Sequence, residues 1–245
     1  MANELTKQDG IEIMALNGEF SGLTPAEIAE EMGGDLPQYP RVKMPSGGMT
    51  AFEVPGDDPE SPDAEKELRG VIVWHHKTNA YWPDNDNDAP PACRSEDGVR
   101  GDGVPGGDCA TCPYNQFGSG EGGRGKACKN GETLYILREH DILPVALSLS
   151  PTSLAALRNY KTMCVARGKR VCDVVTSITL TKKVSTDGNP YSVAVFRRVG
   201  ELSPETAAKA LAYRKDVQSM LAVQRAVRDQ ALTPTVDQET GEVFA

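Results

Sequence analysis

A mainly β fold with helices appended (α+β) is what this sequence predicts, and three observations predict it. At least five runs alternate apolar with polar residues or are dense in Val, Ile and aromatic side chains, and turn residues join most of them as hairpins. Apolar residues recur at helical spacing in only a few places. A glycine-rich tract interrupts the strands and carries too few aliphatic side chains to pack on its own. The 245 residues, 39% of them hydrophobic, are enough chain for a real core. No apolar run approaches the ~18 residues that a membrane span needs.

Residues 1–37 are expected to be an acidic segment with one short helix. Thr24-Pro25-Ala26-Glu27 is a capping box with Pro at the first helical position, and Gly33-Gly34 stops the helix it opens. The core is expected over residues 38–200. Residues 39–44 alternate, with Arg41 and Lys43 on one face and Val42 and Met44 on the other. A Pro-Ser-Gly-Gly turn leads into residues 49–54, so the two runs read as a hairpin. Residues 55–68 read as an acidic, Pro-rich loop. Residues 70–82 are the strongest strand. Without a bulge, Trp74, His76, Thr78 and Trp82 share one face, and Val71, Val73, His75 and Tyr81 the other. Asp84, Asp86 and Asp88 resemble the start of a calcium loop, but Ala89 and Ser95 stand where its Gly and Glu belong.

Strands resume at residues 133–138 and 143–149. Ser150-Pro151 then caps a helix bearing Leu154, Leu157, Tyr160 and Met163, ending near Gly168. Residues 171–184 and 191–199 make a long hairpin around Asp187-Gly188. Ser203-Pro204 opens a final helix within 201–231, with the stripe Ala210, Tyr213, Val217, Met220 and Val227. Residues 232–245 lack periodicity and read as a flexible acidic tail. Its Asp237, Glu239, Glu242 and Phe244 are either a partner-docking peptide or a simple disordered end.

The excursion at residues 91–130 holds four of the six cysteines, Cys93, Cys109, Cys112 and Cys128, spaced C-x15-C-x2-C-x15-C. Its thirteen glycines and prolines cost much backbone entropy to order. Thiolate ligation of a metal supplies folding free energy where an apolar core is missing, so structural Zn²⁺ is expected on these four. Disulfides are the alternative, but no secretory signal opens the chain, so a reducing cytoplasm is the expected location. Gly120 to Ala127 imitates a phosphate-binding loop, yet Ala127 supplies no hydroxyl for Mg²⁺. Cys164 and Cys172 read as small buried hydrophobes. Hairpin-joined strands interrupted by such an excursion suggest an OB-like Greek-key barrel with a zinc-ordered insertion, a β-sandwich being the competitor.

Net charge is −9, which argues against a nucleic-acid partner until its distribution is read: −11 over residues 1–68, +4 over 69–200 and −2 over 201–245. His75, His76 and His140 are the only histidines, and no recognisable catalytic motif contains them. Bases and aromatics do interleave on the expected strands: Arg41, Lys43, Trp74, His76, Lys77, Tyr81, Trp82, Arg138, Lys182, Lys183, Arg197 and Arg198. Single-stranded nucleic acid is held by just such cations along phosphates and rings against bases. Each residue alone has a bland reading: Trp74 among valines in a core, Lys182-Lys183 at a solvated hairpin tip.

The runs YPRVKMPSGG, GVIVWHHKTNAYW, CATCPYNQFGSG, GKACKN and LSLSPTSLAALRNY, with the strand from Tyr191, span roughly residues 38–205. Together they resemble single-stranded-DNA-binding proteins of phages and bacterial mobile elements. In the T4-type helix-destabilising proteins three cysteines and one histidine hold a zinc that braces an OB domain, and an acidic C-terminal tail contacts replication proteins. The resemblance implies that Cys93, Cys109, Cys112 and Cys128 are the brace here, with Cys in place of His, and that residues 232–245 are the tail. A non-enzymatic, sequence-independent single-stranded-DNA-binding protein of replication or recombination, in the bacterial host cytoplasm, is therefore expected. The rivals are a zinc-braced adaptor or inhibitor of a host protein, and a metal-dependent nucleic-acid enzyme using Asp84, Asp86 and Asp88.

Overall fold

The run Val71-Ile72-Val73-Trp74 is the densest cluster of β-formers in the chain, and it lies in β4 (Glu67–Tyr81), the strand on which the sheet is built. The computed structural model describes residues 13–17, 30–33, 35, 38–58, 60–84, 89–231, 235–236 and 243–244. Most of the helix expected from Thr24 lies outside them; its end is seen at Glu30 and Glu31, with Gly33 turning at φ 62°.

The fold is α+β: a mixed sheet of nine strands with helices on it. β1 (Arg41–Val42), β2 (Phe52–Val54) and β3 (Asp63–Glu65) precede β4. β5 (Cys93–Ser95), β6 (Arg100–Gly103) and β7 (Gly107–Asp108) lie in the cysteine segment. β8 (Lys129–Leu137), β9 (Val145–Leu149), β10 (Val174–Val184) and β11 (Pro190–Glu201) complete the sheet. Its order is β1-β9-β8-β4-β5-β6-β7. The first four residues of β4 pair instead with β10, which carries β11 as its hairpin partner. With β5 paired at its far end, one strand therefore serves three ladders.

Two expectations for the first strands are corrected. β1 does not form a simple hairpin with β2: it runs parallel to β9, with only an isolated bridge between Lys43 and Glu53. The acidic stretch 55–68 is not loop throughout, because β3 pairs with β2 there and β4 begins at Glu67. Phe52 and Val54 alternate inward and bury, which pulls this short ladder onto the core.

The face assignment on β4 is corrected too. The register shifts between Ile72 and Trp74, so Val73 is an inserted bulge residue. Ile72 faces the inner core with Leu68, while Val71, Val73 and Trp74 all fall in the outer one. Downstream parity is thereby inverted, and His76 joins the outer face, its ring stacked 5.7 Å from that of Tyr135.

The inner core gathers Val42, Phe52, Leu134, Leu147, Ile178 and their neighbours beneath the helix α2 (Leu154–Val165), which a 3₁₀ turn, Pro151–Ser153, leads into. Leu157, Tyr160 and Cys164 are the buried side of α2; Met163, expected there, is 49% exposed because Cys164 takes its place. The outer core is covered by α1 (Met14–Asn17) and α3 (Pro204–Ala231). Ser203 Oγ accepts the Thr206 N–H, and Ala210 and Val217 bury as the helical stripe requires. Tyr213 anchors the helix by donating its hydroxyl to the Ile142 carbonyl at 2.6 Å. Cys172 and Cys164 are buried free thiols. In the tail, β12 (Thr235–Val236) pairs antiparallel with β13 (Val243–Phe244), regular structure that the sequence did not suggest. Asp237, Glu239 and Glu242 lie outside the described residues.

Candidate functional site

The cysteine segment is tied to the sheet before any ligand is considered. Tyr81 at the end of β4 pairs with Cys93, and Cys93 with Gly103, so the first cysteine is set by strand register. Cys109 follows β7, Cys112 precedes a 3₁₀ turn (Pro113–Asn115), and Cys128 immediately precedes β8, its N–H on the Tyr114 carbonyl at 2.8 Å. Asn130 Nδ2 bridges Asn79 Oδ1 at 2.6 Å and Asn115 Oδ1 at 2.8 Å, pinning the knuckle to the strands.

All four cysteines line one small pocket beside Gly101, and none forms a disulfide. A Cβ on Gly101 would stand 2.8 Å from Cys93 Sγ and 3.8 Å from Cys109 Sγ, so any larger residue there would push the Cys93 thiol aside. Burial, then the proximity of Cys109, Cys112 and Cys93, pushes the Cys128 thiol up to about 11. Burial likewise raises Cys93, with Cys109 and Cys112 adding to it. The thiols converge without closing up: among the described residues no three His, Cys, Asp or Glu side chains are gathered tightly enough to form a ready metal shell. His75 and His76 lie elsewhere. His75 Nδ1 meets Glu132 at 2.7 Å, and His76 Nε2 meets the Tyr135 hydroxyl at 3.1 Å.

A second site opens between α2 and the edge strand β11. Among the described residues β11 pairs only with β10, so its far side is left to face the helix across an open groove of ≈ 700 Å³. Tyr160, Met163 and Phe196 supply apolar walls, the two rings stacked at 5.7 Å. Five cations line it: Arg167, Lys169, Lys183, Arg197 and Arg198. Glu201 engages two of them, Lys169 at 3.0 Å and Arg198 more closely, and these partners hold its carboxyl below the ordinary range. Arg167 donates to the Met163 carbonyl at 3.1 Å. Lys183 and Arg197 have no ion-pair partner among the described residues. An apolar trough with surplus cations fits an anion that also carries flat rings.

The structure brings together only part of the residue set that sequence nominated. Lys183, Arg197 and Arg198 meet in the groove. Lys182 does not line it and lies instead against Gly48. Arg41 and Lys43 lie on the β1 side of the sheet, and Arg138 is paired with Glu65 at 2.9 Å. Trp74 is packed in the outer core, with the Arg214 guanidinium of α3 4.7 Å above its ring. His76 is half-buried, and burial lowers its pKa. Tyr81 stacks on Tyr114 at 4.2 Å, and Trp82 Nε1 donates to the Ala89 carbonyl at 2.7 Å. Lys77 is exposed beside Gly98. Asp84 is described; Asp86 and Asp88 lie outside the described residues.

Arg167 and Lys169 were missed by sequence reasoning. They flank Gly168 just past the end of α2, where basic side chains read as ordinary dipole partners of a helix C-terminus. Tyr160 and Phe196 were unremarkable core positions until the edge of β11 was seen to stay open.

Comparison with known protein families, with curated proteins and with solved structures finds no match.

Proposed function

We propose that this chain binds single-stranded DNA without sequence preference, as a non-enzymatic protein of replication or recombination. The observation that carries the reading is the groove between α2 and β11, where five cations border stacked Tyr160 and Phe196 in a protein of net charge −9. A local excess of positive charge beside rings is what phosphates and unpaired bases need, and an acidic chain has little reason to collect it otherwise.

The strand plan supports an OB-like barrel. β4, β8 and β9 form a meander, α2 follows the third strand, and the β10–β11 hairpin returns to pair with the bulged first strand. In this reading the groove lies where the unpaired edge of β11 faces α2.

The four thiols fit structural Zn²⁺. They are reduced, they share one pocket, and they sit in a segment poor in apolar side chains. Cys93, Cys109, Cys112 and Cys128 would hold the ion, which would supply folding free energy to the knuckle and no open position for chemistry.

Anisotropy of a labelled oligothymidylate tests the function. Binding at low ionic strength that weakens with a log–log salt slope of about −0.7 per phosphate contacted is expected. No binding at low salt would overturn the proposal.

A further inference from the structure

Phe117 is the most exposed large hydrophobic side chain among the described residues, at 85%. Burying a Phe is ordinarily favourable, so a ring held out in water forgoes that gain. It is not loose. Gln116 Nε2 donates to the Ala110 carbonyl at 2.9 Å and to the Cys112 carbonyl at 3.2 Å. On the other side, the Gly118 N–H reaches the Gly125 carbonyl at 2.6 Å. Ser119 Oγ donates to the Tyr114 and Gln116 carbonyls at 2.8 and 2.7 Å and accepts the Ala127 N–H at 3.1 Å. The chain on both sides of Phe117 is therefore fixed, and its ring stands out from the knuckle.

The Gly118–Gly125 contact brings the segment around Arg124 and Lys126 against the one that carries Phe117, and both cations are exposed. Lys126 reaches Asn115 Oδ1 at 3.1 Å, a neutral partner that leaves its charge uncompensated. Glu121 is the one acid between the Cys112 and Cys128 positions. A presented ring with two cations beside it is complementary to an unpaired nucleobase and its flanking phosphates. A backbone already fixed on both sides of the ring gives up little further freedom when the ring binds.

We infer that the cysteine knuckle is a second nucleic-acid contact of this chain, with Phe117 stacking on an unpaired base and Arg124 and Lys126 contacting the adjoining phosphates. The inference rests on the single-stranded-DNA reading above and adds to it a site separate from the groove. On this account the excursion is a binding element, and its cysteines keep the ring in place.

The test uses the full zinc-loaded chain with a labelled oligothymidylate and, in a parallel arm, an abasic chain of equal length. Phe117→Ala is expected to weaken oligothymidylate binding by roughly 5- to 150-fold, the range of one stacked base. It should leave the weaker abasic binding within about twofold, with zinc content and thermal midpoint unchanged. Phe117→Trp should preserve affinity and show emission quenched by the oligonucleotide. If wild type binds and Phe117→Ala binds equally well, this inference is overturned while the groove reading stands. Equal losses on both oligonucleotides would also overturn it, because the ring would then not be reading bases. If wild type binds neither, both readings fall.

Discussion

Arg197 and Lys183 bring charge into the groove that no acid in the described residues cancels, so they should act on affinity and little on folding. Replacing either with Ala is expected to weaken oligonucleotide binding about equally across sequences and to make the salt slope shallower by about 0.7, as measured by anisotropy titrations at several salt concentrations. Trp74 belongs to the opposite class. Half-buried under Arg214 and packed with Val71 and Val73, its loss by Trp74→Ala should cost roughly 2 kcal/mol or more in denaturant unfolding. Oligonucleotide affinity should stay unchanged; a loss of affinity at unchanged stability would return Trp74 to the binding face. Glu132 carries a pH dependence. Burial pushes its carboxyl up, but hydrogen bonds from His75 and Lys161, each at 2.7 Å, outweigh that and hold it at about 2. A folded value below the ordinary 4.5 means that its stabilisation is complete above pH 4.5 and is lost as pH falls toward 2. The stability difference between wild type and Glu132→Gln, followed by thermal unfolding, should therefore shrink across that window.

At the scale of elements, the cysteine segment and the β4 ladder should separate in stability. β5 touches the sheet through three residue pairs at the end of β4, whereas β4 and β8 share a long ladder over two apolar cores. If the four cysteines hold Zn²⁺ as proposed, a chelator is expected to open the segment to trypsin at Arg94, Arg100, Arg124 and Lys126 while β4 and β8 stay protected. Mass spectrometry of the limited digest reads this directly. Cleavage at the same sites with and without chelator would remove the case for a metal brace. The bulge at Val73 is the other decision made at this scale. One inserted residue moves Trp74 from the expected binding face into the outer core and sends His75 toward Glu132.

For the whole molecule, charge is partitioned: net −11 in residues 1–68 and −2 in 201–245 flank a centre of +4. Under the proposed function, acidic ends tethered to a basic groove would compete with phosphates for it at high effective concentration. Deleting residues 232–245, which carry Asp237, Glu239 and Glu242, is expected to tighten oligonucleotide binding by a few-fold at low salt, with the effect fading as salt screens it. Unchanged affinity at low salt would show that the tail does not compete.

The sequence by itself determined the mainly β class, the order and approximate limits of β4, β8, β9, α2, the β10–β11 hairpin and α3, and the grouping of four cysteines in one excursion. These follow from local causes: side-chain alternation, capping residues, turn residues and spacing. Only the tertiary structure decided that β1 lies parallel to β9, that Val73 bulges, and that β11 leaves its far edge open beside α2. Those choices depend on which distant strands close around the inner core, and no local pattern reports that. The groove follows from them, because Arg167 and Arg197 are thirty residues apart in the chain and come to line one groove only when the helix after β9 packs against β11.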